Sequence, residues 1–486
     1  MQTPTATDLT AVLPTLFLVA WAMGLLLLSQ LLPRAHRSAA SAWLALAGLV
    51  VAFVFSVVRW DRPATGFHDA VVLDNFSLLF HVVFILAGLL TVLVSHVYLR
   101  DRQIERSEYY PLLLLSICGM TLMSSVNDFV ILFIALELLS IPLYVLAGFA
   151  HPAAESEESA LKYFLLGAFS SAFLIYGVAL VYGGAHTTAF PGIVEGATSG
   201  NMAFTVTGAG LILVGLGFKI AAVPFHMWTP DVYHGAPTPI TGFMSVGAKA
   251  AGFAAIGRVF LLTLAPLPVD WAPAVAVLAA LTMILGNVVA ISQTNIKRML
   301  AYSSIAHAGY LLMGVAARGE RGISAMLFYL LAYAFTNLGA FAVLTGMAGP
   351  DGEDTSFVPY AGLAKRQPWV AAAMALFMLS LTGIPATGGF VGKYYLFWAT
   401  VEADLIWLAA LGVLTSLVSA FFYLRVVVAM YFEEPVGDVR FRLYPTLATA
   451  LILAAVGTIV LGLWPGPLLN LTQDAAWSTV GSTIPF

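Results

Sequence analysis

Charge is what this 486-residue chain has least of: 9% of it is Asp, Glu, Lys or Arg, against roughly 25% in soluble domains. With 60% hydrophobic residues and a mean hydropathy of +0.92, that scarcity excludes a soluble globular protein and makes the chain an integral membrane protein. The net charge of -4 contains no basic or acidic tract, which argues against nucleic acid or a charged polymer as partner. Cysteine is nearly absent. The single Cys118 lies in an apolar run, which excludes an internal disulfide framework, a cysteine-bound iron-sulfur cluster and a cysteine zinc site. Also missing is a basic n-region before the first apolar segment, so no cleaved signal peptide is expected. No G-x-G-x-x-G follows a strand pattern and no G-x-x-x-x-G-K-[ST] occurs, which leaves nucleotide binding without support. If redox chemistry is involved, it happens in other chains, and no cofactor or metal is expected in this one.

What the chain has in abundance is long apolar runs. A hydrocarbon core of about 30 Å needs about 20 apolar residues per helix. Runs bounded by charge or by Gly/Pro clusters predict helices near 11–32, 40–59, 72–98, 109–125, 128–150, 159–183, 203–224, 239–263, 271–291, 299–317, 322–348, 369–399, 405–430 and 443–465. The expected fold is an all-α membrane protein of about fourteen transmembrane helices. Orientation follows from the Lys/Arg bias of short loops. Arg34, Arg37, Arg100, Arg102, Arg106, Lys297, Arg298, Lys365, Arg366, Arg440 and Arg442 fall on one side, against Arg59, Arg62, Arg318 and Arg321 on the other. Both termini are accordingly expected outside. The acidic loop HPAAESEES (151–159) falls on the inner side, where acidic residues carry little weight.

Six basic residues remain within spans: Lys162, Lys219, Lys249, Arg258, Lys393 and Arg425. Arg258 and Arg425 sit nearer helix ends, where snorkelling is the expected explanation. Lys162 lies a turn inside its helix and reads either way. Lys219, Lys249 and Lys393 have apolar residues well past them on both sides, and Glu137 is the one carboxylate clearly within a span. Ionisable residues at that depth face cavities or pathways, or pair to fix packing. One Glu cannot neutralise three lysines. A buried lysine whose carboxylate partner moves can exchange between holding and releasing a proton, which describes a proton switch.

Two spans are also broken. Pro224 follows Lys219 by five residues, and LTGIPATGGFVGKYY interrupts the twelfth span at Gly383, Pro385, Gly388 and Gly389 shortly before Lys393. Exposed backbone of this kind is expected to line a cavity. The breaks lie five helices apart, in the seventh and twelfth spans, which points to two inverted repeats with a site near the midplane. The expected organisation is a three-helix segment (1–108), a first five-helix repeat (109–263), an inverted second repeat (264–430), and a last helix with a tail (431–486). His226 follows the first break. His307, with Ser303 and Ser304, lies on the tenth helix; Tyr329, Tyr333, Thr336 and Asn337 share the eleventh. Each histidine reads as a secondary relay or as a hydrogen-bonded packing residue, and no spacing favours haem ligation.

The stretches ALELLSIPLYVL around Glu137, GFKIAAVPFHMWTPDVYHGAPTPITGFMSVGAKAAGF (217–253), QTNIKRMLAYSSIAHAGYLL (293–312) and GIPATGGFVGKYYLF (383–397) resemble the antiporter-like membrane subunits of proton-translocating NADH:quinone oxidoreductase, respiratory complex I. Relatives of these subunits occur in multisubunit Na+/H+ antiporters and membrane-bound hydrogenases. The likeness is greatest to the bacterial N-type branch, since the M-type has a glutamate at the position of Lys393 and the L-type adds a long lateral helix. The resemblance implies fourteen helices, two inverted five-helix repeats and discontinuous seventh and twelfth helices. It implies that Glu137 pairs with Lys219, that Lys249 is the central relay, and that Lys393 ends the path towards the outer side. Lys162 matches a lysine that adjusts the pair. It further implies a place in the bacterial cytoplasmic (inner) membrane, among other membrane and peripheral subunits that hold flavin, iron-sulfur clusters, NADH and quinone. Two other readings stand beside it: a subunit of a cation/proton antiporter, and a structural scaffold whose charges form static pairs.

Overall fold

In hydrocarbon, only structures that pair every backbone group internally can span, and an apolar run does so as a helix. The computed structural model describes residues 5–33, 36–349, 352–436 and 441–480. Arg34 and Arg440, used above for orientation, lie outside them. In chain order the elements are α1 (Ala6–Leu31), α2 (Arg37–Val58), an antiparallel hairpin of β1 (Ala64–Gly66) and β2 (Val71–Leu73), α3 (Asn75–Asp101), α4 (Tyr109–Ser124), α5 (Phe129–Ala147), α6 (Ala154–Ala185), α7 (Ile193–Ser199), α8 (Met202–Ile220) and α9 (Trp228–Gly235). Next come α10 (Thr238–Phe243) and α11 (Lys249–Ile256), each followed by a π-helical stretch, Met244–Ala248 and Gly257–Thr263. The rest are α12 (Ala272–Ile291), α13 (Ile296–Ala317), α14 (Gly319–Met347), α15 (Leu363–Arg366), α16 (Pro368–Thr382), α17 (Gly388–Glu402), α18 (Ile406–Phe432), α19 (Pro445–Leu463) and α20 (Gly466–Val480).

Among the described residues, twelve helices are long and apolar enough to cross a membrane, with Thr238–Thr263 counted as one. The helix α4 is shorter. So are α16 and α17, whose 15 residues each reach only about 22 Å at about 1.5 Å per residue. Polar residues start many of these helices by accepting otherwise orphaned N–H groups. Asp74 takes the N–H of Ser77, Asp128 that of Val130, Asn201 that of Phe204 and Asn295 that of Arg298.

Burial is uneven. In Thr238–Thr263, α13 and α14, 94% of the most apolar window is buried, against 33% in α1, α6 and α19. These three most buried helices carry Lys249, His307 and the tyrosines of α14. Five elements are not among the expected helices: the hairpin, α7, α9, α15 and α20. The last forms in the stretch read above as a bare tail, where Thr472 bonds Ser324 of α14 at 2.9 Å. Its 15 residues are too short and too polar to register as a span.

Candidate functional site

The proximity of Lys219 and Pro224 is settled by where the backbone groups go. The helix α8 ends on Ala221 in the left-handed region, φ 61°. The N–H of Ala222 returns to the carbonyl of Gly217 at 2.8 Å and that of Ala221 to Phe218 at 3.1 Å, a Schellman-type ending. Val223 N–H donates to Thr282 Oγ1 at 3.0 Å, and Trp228 Nε1 donates to the Phe218 carbonyl at 2.9 Å. Pro224 has no N–H to satisfy, and Phe225 N–H reaches the Ala222 carbonyl. The turn is therefore paired through side chains and its own carbonyls. Pro224 and Met227 face outward on this chain, Met227 being 76% exposed.

The second break ends the same way. Gly383, at φ 92°, and Ile384 both donate to the Leu379 carbonyl at 3.0 Å. Pro385 is again exposed. Here the lysine follows the break instead of preceding it. Lys393 Nζ donates to the carbonyls of Leu381 (2.8 Å) and Thr382 (3.0 Å) and to Ser416 Oγ (2.8 Å). An ammonium thus covers the last carbonyls of α16, the negative end of a helix dipole.

All three central lysines are buried, with 2% of Lys219, 2% of Lys249 and 3% of Lys393 exposed. Lys219 Nζ donates to Ser140 Oγ at 2.7 Å and to Tyr163 Oη at 3.4 Å, and lies over the Tyr163 ring. Lys249 begins α11 directly after the first π-helical stretch, and Nζ donates to the carbonyl and the hydroxyl of Ser304 at 2.6 and 2.5 Å. Such irregular turns are frequent at functional sites. His307 lies one turn beyond Ser304 on α13. Its Nδ1 meets Tyr329 Oη at 2.5 Å and its Nε2 meets Tyr423 Oη at 3.0 Å. Its ring packs on Tyr310, whose own ring lies under Lys393 Nζ at 4.7 Å. Ser304, His307 and Tyr310 thereby line a polar face of α13 between Lys249 and Lys393.

Several expected contacts are replaced by others. Glu137 does not pair directly with Lys219: its Oε1 accepts from Ser171 Oγ at 2.6 Å, while Lys219 is held by Ser140, one turn further along α5. No ion pair among the described residues involves Lys219, Lys249 or Lys393. Lys162 is not beside Glu137 either; it bonds Glu158 (2.6 Å) and Asp231 (2.8 Å), and Asp231 also accepts from Arg298. His226 is half-buried in the first break, with Nδ1 unpaired. Arg258 does not snorkel. It is 5% exposed, makes a two-pronged pair with Asp74 at 2.8 and 2.6 Å, and donates Nε to the Ser124 carbonyl. Arg425 turns inward to the carbonyls of Ile291 and Gln293, closing the end of α12.

Sequence reasoning missed α18 as a contributor. Thr415, Ser416, Ser419 and Tyr423 recur at helical spacing on an otherwise apolar helix, and that stripe was the available signal. It also placed Lys297 in a loop, whereas the residue sits in the first turn of α13 with 2% of its side chain exposed, paired with Glu353 at 2.9 Å.

With this geometry in view, residues 126–419 match the family model described as NADH:quinone oxidoreductase/Mrp antiporter, TM. NADH-quinone oxidoreductase subunit N of Trichlorobacter lovleyi is 46% identical over 96% of this chain and 97% of its own. That of Chloroflexus aggregans is 44% identical over 96% of each. The chain belongs to the subunit N family of NADH-quinone oxidoreductase. A chain of respiratory complex I from Thermus thermophilus with bound Aureothin superposes with a TM-score of 0.83 at 36% identity, over 95% of this chain and 99% of that one. A chain of the Mrp complex from Dietzia sp. reaches a TM-score of 0.86 at 23% identity over 97% and 98%, a likeness of fold alone. The chain is therefore an antiporter-like, multi-pass membrane subunit.

Proposed function

We propose that this chain translocates protons through a buried relay of Glu137, Lys219, Lys249 and Lys393, driven by NADH oxidation and quinone reduction in other subunits that hold the flavin and iron-sulfur clusters. The observation that carries this reading is the way the three lysines are held. Each buried amine rests on hydroxyls or carbonyls and not on a carboxylate. A hydroxyl accepts from an ammonium and donates to a neutral amine, so either protonation state keeps a partner.

In this mechanism the switch is the amine of Lys219, which moves between Ser140 and Glu137, one turn apart on α5. A pKa change of about two units corresponds to about 2.7 kcal/mol, comparable to the roughly 2.3 kcal/mol for one charge crossing 100 mV. One amine changing partner is thus an adequate element for one proton. The proton passes from Lys249 along Ser304, His307 and Tyr310 to Lys393 and leaves on the outer side. Lys162 acts through Asp231, and His226 flanks the first break.

The architecture proposed with this mechanism has fourteen crossings, α8 with α9 and α16 with α17 each forming one broken crossing. The two five-helix repeats run in opposite senses, and both termini lie outside the cytoplasmic (inner) membrane of a bacterium. Matching Schellman-type endings at Ala221 and Gly383 support the repeats. The cation/proton antiporter reading ranks lower, because identity to the subunit N relatives covered over almost the whole chain is 41% to 46%, against 23% to the Mrp chain. Tagging the chain and extracting it in mild detergent tests the assignment. NADH:quinone reductase activity and flavin are expected to co-purify; an intact assembly of membrane subunits without flavin would overturn it.

A further inference from the structure

Beside the relay lies a cavity of about 420 Å³ whose wall includes Tyr98, Ser156, His234, Lys297, Glu353 and Ser356. At roughly 30 Å³ per molecule in the liquid, it has room for several waters. It lies at the ends of helices that carry Arg102, Lys297 and Arg298, which is the inner side in the proposed orientation. Glu353 borders it from the segment between α14 and α15, its side chain 15% exposed. Its Oε2 accepts from Thr238 Oγ1 at 2.6 Å and from Lys297 Nζ at 2.9 Å, while Oε1 has no partner in regular hydrogen-bond geometry, the Tyr98 hydroxyl being its neighbour. Lys297 Nζ also donates to the Ala236 carbonyl at 2.7 Å.

Two routes lead inward from this pair. Lys297 and Ser304 are two turns apart on α13, so they share a face, and Ser304 holds Lys249. Tyr233, next to the cavity residue His234, is buried with Oη unpaired, and its ring lies 5.9 Å from Lys249 Nζ. Burial alone would raise the Glu353 carboxyl; Lys297, Thr238 and Tyr98 outweigh it and hold the group below the ordinary carboxylate range.

We propose that the Glu353–Lys297 pair is a gated proton-uptake site, through which protons from the inner aqueous phase enter this chain on the way to Lys249. With Lys297 in contact, Glu353 stays a carboxylate and the entry is closed. When the Lys297 amine withdraws, a hydronium in the cavity gives its proton to Glu353 Oε1 and becomes water. The carboxyl returns to carboxylate as that proton moves on to the neutral Lys249 amine, and Lys297 closes on it again. The proposal rests on the relay reading given above.

The test uses the assembled complex in inside-out membrane vesicles, reading NADH oxidation, dye-reported acidification and subunit content on a native gel. Glu353→Gln preserves shape and the acceptor for Thr238 but cannot take the proton; Glu353→Asp keeps a carboxylate at shorter reach. Acidification per NADH is expected to fall several-fold in E353Q at normal assembly and to recover largely in E353D. Wild-type acidification in E353Q overturns the proposal, and so does loss in E353D with retention in E353Q, the signature of a structural tether. Lys249→Ala run in parallel separates the two ideas: acidification lost in K249A and kept in E353Q defeats the uptake site alone, and acidification kept in both defeats the relay. A second readout is access. Ser356→Cys, scored on the band of this chain, whose other cysteine Cys118 is buried, is expected to react with a membrane-impermeant maleimide in inside-out vesicles and not in right-side-out ones; the reverse pattern overturns the proposal.

Discussion

Replacing Lys393 by arginine separates holding a charge from releasing a proton. The three acceptors around Nζ, two carbonyls and Ser416 Oγ, suit a guanidinium. The end of α16 stays covered, and assembly is expected to be normal. Arginine, however, holds its proton about three pKa units more tightly than lysine, about 4 kcal/mol at about 1.36 kcal/mol per unit. That lowers the neutral form roughly a thousandfold and exceeds the roughly 2.3 kcal/mol that 100 mV supplies per charge. Lys393→Met fails differently. The Leu381 carbonyl loses the lysine that covers it, while the Thr382 carbonyl keeps Ser416, a loss of about 1–3 kcal/mol for one buried unpaired group. Acidification by inside-out vesicles, with thermal stability of the purified complex, reads both effects. Both variants are expected to pump little, with K393R as stable as wild type and K393M less so. Wild-type pumping in K393R would refute the reasoning, because it would mean that Lys393 never gives up its proton.

Other consequences are structural. Arg258→Met leaves Asp74 buried without its partner and is expected to cost about 3–5 kcal/mol, read as a lowered melting temperature; adding Asp74→Asn is expected to restore part of it. Gly119→Ala would set a Cβ 2.2 Å from the backbone N of Leu139, displacing α5 and with it Glu137 and Ser140, so activity is expected to fall with stability. Gly210→Ala meets nothing within 4 Å and is expected to be neutral or to stabilise α8 by about 0.5–1 kcal/mol. Glu137→Asp is expected to be milder than Glu137→Ala in coupled turnover; equal loss would point to packing.

The helices were legible because hydrocarbon leaves apolar runs one way to pair their backbone, and each expected range overlaps an observed helix or a broken pair. The three lysines were legible for the same reason, since a charge stands out where there are few. What did not show was partner choice. Ser140 and Ser171 divide Lys219 and Glu137 between them, and hydroxyls are too common in helices to signal that. Glu353 sits in a short polar connection, and only folding brings it under Lys297. Arg258 near a helix end reads as snorkelling until Asp74, far away in sequence, is placed beside it. The breaks were found in the right places, but how they satisfy their backbone was not legible, because a left-handed ending that pairs its own N–H groups leaves no mark in residue type at Ala221.

The central claim is that Lys249 joins the two halves of the path. Its most direct test is the ratio of protons moved to NADH oxidised by the Lys249→Ala complex in sealed vesicles, with assembly checked on a native gel. The account predicts normal assembly with severely reduced coupled turnover and a lowered ratio. A wild-type ratio would contradict it and return the buried lysines to a packing role.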